Sequence, residues 1–346
     1  MDDYTPIRYN ERGFPIFPGP PKPIFPDGII YYYGEKRCVA NQKKNKTRPC
    51  FKNAKFIADG QLLCGVHARH RKAGLLPRNP RKLEILRDKL RAERLEVEEA
   101  AEANLKAGLP GRIIATKLLT YKACGTHRGF MKVFPNYRHG GRPDGMGCPS
   151  LSPLRLGPVF HNQPGLPISR SVENCCNANC VYPKEADEGG EPLESWHSTR
   201  LKMYNDLRPN RLKARLKRDD KGKPVMPLYS IWVQPNGVQK KFSNVAARQF
   251  FCCYYERLAT KPGSEAAKDL ESLRSCLAAG YNLEIIGYNA RPVANESDEP
   301  IYEWELLEKM YLDPSQPFGH ELVLYAMLSL DDPEDYPWRR YKSEAF

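Results

Sequence analysis

Cys38, Cys50, Cys64 and His67 fall in a stretch with too few apolar residues to build a core of its own, and this restricts the fold more than any other feature. The gaps between them are eleven, thirteen and two residues. Three thiolates and one imidazole complete a tetrahedral shell, the closed pattern of a structural zinc site. Zinc would then take the place of a hydrophobic core. Flanking lysines and arginines keep the thiols deprotonated and so favour metal. The close pair Cys64/His67 requires a tight turn, with Gly65 easing the backbone between them. No position is left open for substrate, so this site predicts structure rather than catalysis. His70 is the substitute fourth ligand, and the plainer alternative is three buried thiols beside an unrelated surface histidine.

The chain has 346 residues and eleven cysteines, an odd number at irregular spacing. A disulfide framework in a chain this long is a poorer reading than metal ligands plus buried thiols. That places it in a reducing, intracellular compartment. Cys175, Cys176 and Cys180 invite a second metal site, but adjacent cysteines ligate one ion poorly. No apolar run is long enough to span a membrane, and the first 30 residues carry no signal core. The net charge of +13 is concentrated: residues 36–94 hold eighteen Lys/Arg against four acids, Asp59, Glu84, Asp88 and Glu93. That excess of 18 − 4 = 14 accounts for the whole imbalance, and it would draw the segment to DNA, RNA or an acidic protein face.

Four parts follow along the chain. Residues 1–32 hold seven prolines, at 6, 15, 18, 20, 21, 23 and 26, and should form an extended arm. The zinc module occupies 33–75 and a charged helix 76–110. Asn79-Pro80 opens that helix and Gly108 closes it. Its first half is basic and its second acidic, against the helix dipole, so partners outside the helix must account for the order. Glu93 interrupts its apolar stripe of Leu83, Leu86, Leu90 and Val97. Residues 111–346 form a domain of class α+β, with strands and helices alternating without a regular βαβ repeat. Within it, Tyr229–Val233 and Gln239–Phe242 flank Gln-Pro-Asn-Gly as a hairpin. Ser243 caps a helix to about residue 260, a second ends at Gly280, and 282–288 reads as a buried strand.

Three blocks of this domain stand out: Leu151-Ser-Pro-Leu-Arg-Leu-Gly-Pro-Val159 with Ser171-Val-Glu-Asn-Cys-Cys-Asn-Ala-Asn-Cys180, Gly280-Tyr-Asn-Leu-Glu-Ile-Ile-Gly-Tyr-Asn289, and Pro317-Phe-Gly-His-Glu321. On residues alone, Glu173 reads as a satisfied carboxylate and His320 as a helix-capping histidine. The region resembles an uncharacterised family of large eukaryotic DNA viruses, and the zinc module is similar to Cys3His modules of such viruses and of phages. The block order is also faintly similar to the NADAR superfamily, whose members act on N-glycosidic bonds of ADP-ribose-like or riboflavin-pathway molecules. That resemblance implies Glu173 as the carboxylate facing oxocarbenium-like charge, with Arg170 and Asn289 contacting ligand. It also implies a glutamine and a lysine where this chain has Asn177 and Cys180, and an aspartate where it has Asn289. The departures predict weakened or absent catalysis.

Two function classes are therefore expected. One is a non-catalytic structural or interaction protein of a large DNA virus, such as a minor virion component, which binds viral or host proteins or nucleic acid through the zinc module and basic segment. The other is a NADAR-like N-glycosidase. The second requires Glu173, Arg170 and Asn289 to converge.

Overall fold

The computed structural model describes residues 80–118, 127–136, 144–207, 212–217, 225–291 and 303–341, with short pieces before residue 76 and Asp219. The chain divides into two compact units, residues 1–91 and 92–346. Most of the arm, with Cys38, Cys50 and His70, lies outside the described residues.

The first unit holds a two-residue antiparallel pair, β1 (Arg8–Tyr9) and β2 (Pro15–Ile16). It also holds a small antiparallel sheet of β3 (Phe56–Ala58), β4 (Gln61–Leu63) and β5 (Gly74–Leu75), with β3 in the middle. The four-residue helix α1 (Gly65–Ala68) leaves β4 directly. Among the described residues its core is small: Phe56, Leu63, Cys64 and Ala68.

Helix α2 runs Pro80–Lys106 and stops where the sequence places the stop. Gly108 sits at φ +70. Its N–H reaches Leu105 O at 3.0 Å, and the Leu109 N–H reaches Asn104 O at 2.9 Å, the paired bonds of a left-handed helix end. In the second unit, Glu93 does not interrupt the packing stripe but belongs to it. Its carboxylate takes Lys132 Nζ at 3.1 Å, and Glu96 takes Arg128 at 2.7 Å. These partners account for two of the acids in the second half of the helix. The stripe continues through small residues: Ala101 is buried, and a Cβ on Gly129 would stand 3.1 Å from Ala100 Cβ. Asn104 then donates to Gly280 O at 2.7 Å and Asn282 Oδ1 at 3.0 Å.

Two sheets make the rest, in agreement with the α+β expectation. One is parallel, in the order β6 (Ile113–Lys117), β12 (Asn282–Gly287), β7 (Phe130–Phe134), β8 (Met146–Gly147). All six residues of its inner strand β12 are buried, as the continuous Asn-Leu-Glu-Ile-Ile-Gly run requires of a strand covered on both faces. The other is antiparallel: β9 (Cys180–Val181), β10 (Tyr229–Val233), β11 (Gln239–Phe242). The expected hairpin is β10/β11, its turn closed by Gly237 at φ +84.

Helix α5 (Asn244–Ala259), capped by Ser243 Oγ, is the hub. It packs against α3 (Val172–Asn179), α6 (Glu265–Ala278), α8 (His320–Ser329) and α9 (Pro337–Arg340). Its Phe250 stacks on Trp232 with ring centroids 3.8 Å apart, and Tyr255 donates to Leu151 O at 2.7 Å. Arg248, also buried, donates to the carbonyls of Tyr311, Asp313 and Gln316, which ties α5 to the end of α7 (Glu303–Leu312). Helix α4 (Glu194–Asn205) completes the α3 side. No helix among the described residues is long and apolar enough to cross a membrane.

Gly280, at φ +83, shows how α2 and β12 depend on each other: a Cβ there would lie 2.6 Å from Ala101 O. Gly280→Ala should lower the unfolding free energy by about 2–3 kcal/mol, from left-handed strain plus collision. Gly237→Ala has the same strain but open space and should cost only about 1 kcal/mol. Urea unfolding of both variants checks the difference; equal losses would mean that α2 does not press on this turn.

Candidate functional site

Two of the four expected metal ligands fall within the described residues, and they adjoin. Cys64 is buried at the start of α1, and the N–H groups of His67 and Ala68 bond its carbonyl at 2.9 and 3.0 Å. That turn brings His67 Nδ1 to 3.4 Å from Cys64 Sγ. A tetrahedral centre with Zn–S of about 2.3 Å and Zn–N of about 2.05 Å separates S and N by about 3.6 Å. The spacing of the pair is close to what two ligands of one tetrahedral ion require. Among the described residues no group of three or more metal-ligating side chains is assembled.

The expected second site is built from the sequence blocks of the larger unit. Ser171 caps α3 through the Asn174 N–H, which places Glu173 in the first turn. One turn on, Asn177 Nδ2 donates to Glu173 Oε1 at 2.6 Å, and Lys217 Nζ lies 3.5 Å from the same oxygen. The carboxylate is about a quarter exposed. Burial raises its pKa, but Lys217, the Asn177 amide and nearby His320 together hold it below the ordinary glutamate value.

His320 and Glu321 open α8, and both are buried. The cap of this helix is Gly319, which contributes no side chain, so His320 is not the helix cap that the sequence suggests. Glu321 Oε1 accepts the Asn289 N–H at 3.4 Å. A Cβ on Gly287 would overlap that carboxylate, and one on Gly319 would stand 2.5 Å from Asn289 Cβ and 2.7 Å from Glu321 Oε2. Glycine at 287 and 319 is what lets the end of β12 and the start of α8 close over Glu321. His320 Nδ1 lies 3.2 Å from Glu321 Oε2. Neither His320 Nε2 nor Glu321 Oε2 has an aligned hydrogen-bond partner among the described residues, an unusual state for buried polar atoms.

Glu173 lies near His320, and the Asn289 backbone N–H reaches Glu321, but no contact among the described residues joins the exposed Asn289 to Glu173. Arg170 does not join them. Its side chain is exposed, its carbonyl lies against Gly157, and no contact among the described residues ties it to the cluster. Sequence reasoning missed Lys217, which lies in a stretch readable only as a basic link. It also passed over Glu284, a buried carboxylate on β12 that takes Thr116 Oγ1 at 2.6 Å and His127 Nδ1 at 2.9 Å. Among the described residues Cys175, Cys176 and Cys180 form no metal group; a hydrogen bond with Cys175, then burial, pushes the Cys176 thiol up, and burial does the same for Cys180.

Comparison with protein-family models, curated proteins and solved structures finds no match to this chain.

The Glu173 geometry fixes a pH response. Its folded value lies below the unfolded one of about 4.5. Its contribution to stability is therefore complete above that pH and is lost as the pH falls through the folded value. Glu173→Gln should flatten this part of the acid limb. In Lys217→Met the Glu173 carboxyl should titrate higher than in the parent, followed by carboxyl carbon NMR. An unmoved titration would mean that the ion pair does not form in solution.

Proposed function

We propose that the chain is a non-catalytic structural or interaction protein of the kind carried by large DNA viruses. Its N-terminal module, held by zinc through Cys38, Cys50, Cys64 and His67, and its basic segment 36–94 bind a protein or nucleic-acid partner in the host cell or virion. The juxtaposition of Cys64 Sγ and His67 Nδ1 at 3.4 Å supports the zinc part of this reading. Zinc there would supply folding energy rather than chemistry.

The observation that carries the non-catalytic part is the state of the carboxylates. Glu173 is ionised and neutralised by Lys217, so it cannot protonate a leaving group. Glu321 is sealed beneath Gly287 and Gly319. Asn289 offers an amide where a base would be needed.

A second reading, a NADAR-like N-glycosidase, rests on a different feature of the same site. An oxocarbenium-like transition state asks only for a fixed anion, and Glu173 is a partly exposed carboxylate beside His320. The exposed Arg170 and Asn289 lend this reading no support.

The purified protein should contain one zinc per chain, and Cys64→Ser should abolish it, read by elemental analysis. DNA or RNA binding should weaken steeply with salt, and no binding at low salt would remove the nucleic-acid version. Titration calorimetry with ADP-ribose should show binding that Glu173→Ala removes, with the ligand recovered intact. Release of free adenine would overturn the non-catalytic reading in favour of the glycosidase.

A further inference from the structure

The turn between α5 and α6 holds a cation at the mouth of a cavity. Thr260 ends α5, and Lys261-Pro262-Gly263-Ser264 then reverses the chain. The Ser264 N–H donates to Lys261 O at 3.1 Å, and Gly263 takes φ +77. Proline at the second position and a left-handed glycine at the third make this a type II turn, with Lys261 exposed at its start. The facing wall is the segment 150–157. Tyr255 fixes it through Leu151 O at 2.7 Å, and the Val172 N–H fixes it through Leu156 O at 2.9 Å. A Cβ on Gly157 would stand 2.1 Å from Arg170 O, so this wall is packed hard against the entry to α3.

Between the walls lies a cavity of about 450 Å³, within the roughly 300–1,000 Å³ of small-molecule sites. Leu156 and Leu258 give it apolar surface, and Arg155 and Lys261 give it two cations. Its one acid is Glu265, whose exposed carboxylate is taken by Lys268 Nζ at 3.1 Å. Asp269, a turn further on, accepts from Ser150 Oγ and does not line the cavity.

The first turn of α6 opens into this space. Ser264 Oγ takes the Ala267 N–H at 3.1 Å, and Ser264 O takes that of Lys268 at 3.2 Å. The N–H groups of Glu265 and Ala266 come too early in the helix for an intrahelical acceptor, and no other described residue supplies one. Both residues line the cavity, and Ala266 is only 5% exposed. A buried N–H without an acceptor is rare. Here the positive end of a 14-residue helix stands behind it.

We propose that this cavity binds a small organic phosphate. The phosphate accepts from the Glu265 and Ala266 N–H groups and is neutralised by Arg155 and Lys261, while an apolar body covers Leu156 and Leu258. Two cations and a helix N-terminus match a phosphomonoester better than a singly charged carboxylate. A neutral apolar compound would bury the two N–H groups without an acceptor.

The test is a titration of the full chain followed by amide NMR, with phenyl phosphate, inorganic phosphate and benzyl alcohol as probes. Phenyl phosphate should shift the Glu265 and Ala266 amide signals saturably. Inorganic phosphate should shift the same signals with an affinity about tenfold lower, because it lacks the ring. Benzyl alcohol should leave them in place. Lys261→Gln and Arg155→Gln should each weaken phenyl phosphate by about tenfold, the loss of one charge-assisted contact. Both side chains are exposed, so both variants should keep the fold. Lys202→Gln, on α4 and outside the cavity, should leave the affinity unchanged within twofold. Unmoved amides at millimolar phenyl phosphate would overturn the proposal, as would parent-like affinity in the Lys261→Gln and Arg155→Gln chains. A loss in Lys202→Gln equal to that in Lys261→Gln would overturn it too, since the attraction would then be one of overall charge.

Discussion

The carboxylate of Glu321 occupies space that two other side chains would otherwise need, and much of the larger unit is arranged around that fact. A fully buried carboxylate loses hydration worth several kcal/mol, which must be offset locally. Three features of the surroundings do so. Glu321 sits in the first turn of α8, where the helix dipole favours negative charge. The Asn289 N–H reaches Oε1, and the His320 ring stands beside Oε2. Glycine at 287 and 319 removes the Cβ atoms that would collide. The exit of β12 and the entry of α8 are thereby fixed against one another.

That junction sets the stage for Glu173. Helix α5 lies between the pieces: Tyr255 holds Leu151 O, and its ring centroid is 6.2 Å from that of His320. The first block, the α3 block and the α8 block consequently share one neighbourhood, although Leu151 and Pro317 are 166 positions apart. The polar network beneath α3 is equally deliberate. Arg200, buried, spans Asn179, Gln163 and Ile231 O, and Lys213 and Arg200 share the Trp196 ring. Two buried cations and their acceptors make α3 a rigid platform, because each partner removed would strand a charge.

The elements that were legible in the sequence are those whose signals are local. The α2 stop at Gly108, the Ser243 cap and the β10/β11 hairpin each follow from a side chain or a glycine acting within a few residues of itself. The buried run of β12 was legible for the same reason. The role of Glu93 was not: a charge in an apolar stripe looks like an interruption until Lys132 on β7 is seen opposite it. Nor was the source of the site's cation, since nothing local to Lys217 distinguishes it from the other basic residues of its stretch.

The amino-acid sequence by itself determined the α+β class, the helix and hairpin boundaries, the tight Cys64/His67 turn and the blocks that hold Glu173, Asn289, His320 and Glu321. These rest on hydrophobic period, capping chemistry and glycine, all short-range. Only the tertiary structure decided that Glu173 lies near His320, that the Asn289 N–H reaches Glu321, that Arg170 stays apart, and that Lys217 pairs with Glu173. Those outcomes depend on which distant charge neutralises a buried carboxylate, and such a choice is made by packing across the fold rather than by neighbours along the chain.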